Sequence, residues 1–260
     1  MQRWLLLLFL LVTAPVWAEE SPAALTSIRE ASSIEEALPF LLLAEDGEPA
    51  GVQPGYIRYV SQDQARDEAF CKAYWLGGEE GSELDLTMEK NRYGHVYTFH
   101  SGVMCTRAAY SMALSYLGID MTPGQMTALT GKRHLDPPYK GISEIVGVEV
   151  ASPKSNVFNT MMENYLTDDR YSPVYLYLEK PDGSEHALLV VAALPETSRF
   201  LVVDSSAIFS KGEPHWIYMI SLNKTRQKVV NSTFRHELVD SRVLQLYQWR
   251  LLAPTAADES

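Results

Sequence analysis

Four apolar runs joined by short connections constrain this chain more than any other feature. They occupy residues 174–178 (VYLYL), 186–193 (HALLVVAA), 200–204 (FLVVD) and 215–222 (HWIYMISL). Each has the length and the β-branched and aromatic content of a strand. Pro181-Asp182-Gly183-Ser184, between the first two, is turn chemistry. Two further runs, 228–230 and 243–252, close the chain. The helical patterns come earlier, at 105–119, 122–129, 142–148 and 156–165. Helices first, then strands with short turns, predicts an α+β fold with an antiparallel sheet rather than alternating βαβ units.

The strongest helix signal is CTRAAYSMALSYLGI, residues 105–119. Ala108, Ala109, Met112, Ala113, Tyr116 and Leu117 recur at i, i+3 and i+4, the mark of a core-facing helix. Gly118 suits its C-cap and Pro123 bars much continuation. Thr122 and Pro123 read as the N-cap and first position of the next helix. Cys105 is expected in the first turn of its helix, where the dipole favours the nucleophilic thiolate. A lone cysteine on an apolar helix is ordinarily structural. What shifts that reading lies among the strands.

His186 opens the second apolar run and Asp204 closes the third. If these runs form an antiparallel hairpin, the start of one lies beside the end of the other. That brings a base and its orienting carboxylate together. The imidazole takes the thiol proton, and the carboxylate fixes the tautomer and stabilises the imidazolium.

The string CTRAAYSMALSYLG resembles the nucleophile helix of the papain-like cysteine peptidases related to the double-glycine (bacteriocin-processing) peptidases. SPVYLYLEKPDGSEHALLVVAAL and then RFLVVDSS resemble that family's histidine and aspartate strands, including a proline before the preceding strand. The resemblance covers residues 95–206. It implies a papain-like fold, with a helical part carrying the nucleophile helix packed on an antiparallel β-sheet. It also implies peptide-bond hydrolysis, with Cys105 as nucleophile, His186 as general base and Asp204 as orienter. Two positions depart from the family. Thr106 stands where a glycine usually follows the cysteine. Residues 97–104, YTFHSGVM, lack the glutamine that donates to the oxyanion. His100 or Ser101 is the substitute donor, alongside the Cys105 backbone N–H. Losing one such donor costs about 10²–10³ in rate.

The chain begins MQRWLLLLFLLVTAPVWAEE, which reads as a secretory signal cleaved after Ala18. Residues 19–90 are expected to form an N-terminal extension or small subdomain, and 91–255 the peptidase-like domain. The expected location is secreted or periplasmic, with no stable membrane insertion after cleavage. The net charge of -11, with no basic stripe, argues against nucleic acid. The expected partner is a peptide or protein substrate, peptidoglycan peptide included. No cofactor is implied, and no metal motif is present; His95 and His100 are read as loop histidines. Cell-wall hydrolases of the NlpC or CHAP type and transglutaminase-like acyltransferases also use Cys and His, but the context of Cys105 lacks the aspartate or asparagine-glycine usual in the former. The two cysteines, Cys71 and Cys105, leave one alternative open. In an oxidising compartment they could pair, making the chain a catalytically silent peptide-binding module.

Overall fold

The computed structural model describes residues 25–43, 50–61, 89–90, 96–97, 101–123, 125–126, 140–151, 158–194, 197–210 and 213–253. Helices α1 (Ile34–Ala37), α2 (Ser101–Tyr116), α3 (Lys140–Ile145) and α4 (Phe158–Thr167) are interspersed with strands. The strands are β1 (Leu41–Leu42), β2 (Ile57–Arg58), β3 (Glu89–Lys90), β4 (Val96–Tyr97), β5 (Val148–Ala151), β6 (Val174–Glu179), β7 (Glu185–Leu194), β8 (Arg199–Ser210), β9 (Glu213–Asn223), β10 (Lys228–Ser232) and β11 (Arg242–Leu251). The fold is α+β, with a large antiparallel sheet, as the order of helices and strands predicts.

The sheet runs β10-β9-β8-β7-β6-β11-β5, and β10 also pairs with β11. That last pairing joins the two ends of a six-strand run and leaves β5 on the outside of β11. The closure is made by backbone bonds from Val229 N to Ser241 O (2.9 Å), Asp240 N to Val229 O (2.8 Å) and Val243 N to Gln227 O (2.8 Å). The closure is short, one residue pair in register, and covers the strand edges where β10 and β11 meet. Strand β7 is buried from His186 to Ala192 on both faces, which is why its sequence is continuously apolar rather than alternating.

Helix α2 packs on β6, β7 and β8. Its inward residues, from Ala108 through Met112 and Ala113 to Tyr116, are buried, as the periodicity requires. Gly118 takes φ +83° and ends the helix. Gly118 N donates to Ser115 O at 2.9 Å and Ile119 N to Leu114 O at 3.0 Å, the paired bonds of a Schellman cap. Thr122 and Gln125 exchange reciprocal bonds of 3.2 and 2.8 Å, a capping box for the helix expected at 122–129; residues 127–129 lie outside the described residues.

Residues 25–43 and 50–61 pack into the same core. Ile28, Ala37, Ile57 and Val60 are buried. Gly55 N reaches Tyr116 O at 2.9 Å, and Arg58 N reaches Ser115 Oγ at 3.0 Å. The guanidinium of Arg29 lies 4.4 Å from the Tyr165 ring centroid and 5.1 Å from that of Tyr116.

Two elements differ from expectation. The helix read at 142–148 ends at Ile145, and Val148–Ala151 is a strand instead. Gly147 adopts φ +72°, which stops the helix, and the four residues after it pair with β11. The Cys105 helix begins four residues earlier than its sequence pattern suggested, at Ser101.

Candidate active site

The hairpin expected from the sequence forms. In the β7–β8 register Leu188 faces Asp204, so His186, two residues from Leu188, is the diagonal neighbour of Asp204 on the same face. Side chains at this separation reach each other when one is long. His186 Nε2 lies 2.9 and 3.0 Å from the two carboxylate oxygens of Asp204.

A large bulge places Asp204. Val203 pairs with Ile217 and Ile208 with His215, so residues 204–207 of β8 stand opposite Trp216 alone. A bulge of this kind bends the strand and re-aims its side chains. Asp204 secures its own end, accepting a bond from Ser206 N at 2.8 Å in a local turn. Tyr218 OH donates to Oδ2 at 2.7 Å, and Arg235 Nη1 donates to the same oxygen at 2.6 Å. The carboxylate is fully buried, and every donor it needs comes from the protein.

The electrostatics follow from this packing. Burial alone would raise the Asp204 carboxyl. The charge and hydrogen bond of His186, the Arg235 cation and the Ser206 amide overturn that and hold it well below the ordinary carboxylate range. Burial alone would lower the His186 imidazole. The Asp204 charge and hydrogen bond, followed by the hydrogen bond and charge of Cys105, carry it up to about 9. Tyr218 is raised well above its usual value, by burial and then by the neighbouring Asp204 charge.

Cys105 is therefore in contact with His186. It is a buried, free thiol. With Nε2 engaged by Asp204, Nδ1 is the ring nitrogen left for the sulfur. The three residues singled out in the sequence are brought together by helix α2, strand β7 and strand β8. Cys71 and His100 lie outside the described residues, as does His95. The early start of α2 changes one detail. Cys105 is the fifth helical residue, where its amide falls within reach of the Ser101 carbonyl in the i→i−4 ladder. It is no longer in the first turn, where the dipole acts most strongly.

Two site residues escape the sequence reading, Tyr218 and Arg235. Tyr218 pairs with Val202, two residues from Asp204, so strand parity puts it on the same face. Arg235 comes from the connection between β10 and β11, beside Phe234, whose ring stacks on His215 at 4.2 Å. A cation among aromatics in an acidic chain was the available signal, but nothing in the sequence says which carboxylate it meets.

Among the described residues no cluster of His, Cys, Asp and Glu is arranged to hold a metal ion. No helix of the described residues is long and apolar enough to cross a membrane. No protein-family model matches this chain, and comparison with curated proteins finds no match.

Proposed function

We propose that this protein is an exported papain-like thiol hydrolase that cleaves peptide bonds, cell-wall peptide amides included. The observation that carries the reading is a free buried thiol meeting an imidazole whose far nitrogen is bonded to a fully buried carboxylate. Secretion rests on residues 1–18, which lie outside the described residues.

In the proposed reaction His186 Nδ1 takes the proton of Cys105, and the thiolate attacks the scissile carbonyl carbon. The tetrahedral oxyanion collapses, the C–N bond breaks, and His186 returns its proton to the leaving amine. Water, deprotonated by the same imidazole, then attacks the thioester, releasing the acid and restoring the thiol. Asp204 keeps Nε2–H pointed away from the sulfur, so the ring cannot turn and lose its alignment.

The test is digestion of a peptide library and of purified cell-wall muropeptides, read by mass spectrometry. The reading expects defined cleavage products from the wild type and none from Cys105→Ala, at an unchanged melting temperature. Identical product profiles from the two proteins would remove it. The second reading, a catalytically silent peptide-binding module, is favoured by Thr106 and by the missing glutamine in residues 97–104. It expects peptide binding by both proteins and turnover by neither.

A further inference from the structure

The buried carboxylate at the centre of the site has one partner whose charge never changes. Arg235 Nη1 lies 2.6 Å from Asp204 Oδ2 and 2.9 Å from His186 Nε2, while Arg235 Nε donates to Glu237 Oε1 at 2.8 Å. Cation and anion therefore alternate from the thiol outward: His186 when protonated, Asp204, Arg235, Glu237. The chain runs from a fully buried aspartate to a glutamate that is half exposed.

A general base must change charge during turnover. When His186 is cationic, it and Asp204 form a neutral pair. When His186 gives up its proton, Asp204 would be a lone buried anion, and an uncompensated buried charge is costly. Neither Tyr218 nor the Ser206 amide carries charge to offset it. An arginine does, because it stays protonated at every working pH.

The 2.9 Å contact to Nε2 sharpens the point. Arg235 has only donors and Nε2 gives its hydrogen to Asp204, so this approach is a contact between charges rather than a hydrogen bond. In the imidazolium Nε2–H points to Asp204, and the same contact sets two cations side by side. The guanidinium thus favours the neutral ring and disfavours the charged one.

We propose that Arg235 is a positioning residue of the thiol site, a permanent cation that keeps Asp204 paired through both protonation states of His186 and so lets His186 release its proton to the leaving group. The inference rests on the thiol-hydrolase reading for its catalytic meaning. Its electrostatic content stands on the geometry alone. Among the described residues, the other groups facing His186 are Cys105 from α2 and Asp204 from β8; Tyr218 from β9 and Glu237 act through Asp204 and Arg235.

The experiment is NMR titration of the His186 ring in the intact mature protein, as wild type, Arg235→Met and Arg235→Lys. Alkylation of Cys105 is followed in parallel. The titration midpoint should move up by about one unit or more in Arg235→Met, the size expected for losing an adjacent charge. Arg235→Lys should restore it. A merely structural arginine would change stability but leave the midpoint in place, so an unmoved midpoint in folded Arg235→Met overturns the proposal. Failure of Lys to restore it overturns the proposal as well. If Arg235→Met does not fold, Arg235→Gln, which keeps a polar group, takes its place under the same criteria. The two ideas fail separately. A Cys105 that is inert at every pH in the wild type sinks the hydrolase reading, whereas the ring midpoints decide the role of Arg235 regardless.

Discussion

Two aspartate–arginine pairs in this molecule look alike by distance and differ in everything else. Arg170 Nη2 sits 2.7 Å from Asp168, and Arg235 Nη1 sits 2.6 Å from Asp204. Asp168 and Arg170 are two residues apart in the turn after α4, and half of the Arg170 side chain is in water. Asp204 and Arg235 are 31 residues apart, one in the bulge of β8 and the other in the connection from β10 to β11, with the carboxylate fully enclosed. The first pair is a local clasp screened by solvent. The second must be matched in both charge and hydrogen bonds, since burial makes any unpaired partner expensive. An ion pair's distance says little about its role; its burial and the number of groups that share it say more.

The largest effect is expected from Asp204→Ala. It strands Arg235 and frees His186, so unfolding free energy should fall by about 3–5 kcal/mol, and thiol reactivity should fall with it. Urea denaturation and alkylation kinetics check the two halves. A loss no greater than that of Asp168→Ala, for which no measurable change in urea midpoint is expected, would break the comparison.

A pH dependence follows next. His186 has its proton affinity raised in the fold, to about 9 from 6.5. A raised imidazole contributes stability that is complete below about pH 6.5 and is lost as pH climbs through about 9. The urea midpoint should therefore decline between those values, and His186→Phe should flatten that part of the curve. Asp204 acts in the other direction, its contribution present above the ordinary carboxylate range and lost as pH falls well below it.

Tyr218→Phe should cost about 1.5–3 kcal/mol, the range for a hydrogen bond to a charged group, and leave the site assembled, since Asp204 retains Arg235, Ser206 N and His186. Gly118→Ala should cost about 1 kcal/mol or more. A Cβ there would meet Pro54 Cγ at 2.9 Å, on a backbone at φ +83°. Thermal melts check it, and Cys105 reactivity should be unchanged, because this is the helix end remote from the thiol.

Strand and cap signals were legible because they are local. The apolar runs at 174–178, 186–193 and 200–204 carry their own period and turns, and Gly118 and Thr122 carry their own cap chemistry. The meeting of His186 with Asp204 was legible too, because hairpin topology leaves little freedom of register. Arg235 and Tyr218 were not, since their roles depend on closure between β10 and β11 and on a bulge that no local pattern encodes. The start of α2 is hidden for a different reason: residues 101–104, SGVM, include a glycine that reads as a turn but is carried within the helix.

The most direct test of the central claim is the rate of iodoacetamide alkylation of the folded protein across pH, with mass spectrometry locating the label. A Cys105 paired with His186 should label rapidly at neutral and mildly acid pH in the folded protein, and His186→Ala should lose that reactivity. Labelling only after reduction or unfolding, or labelling indifferent to His186, would contradict the account.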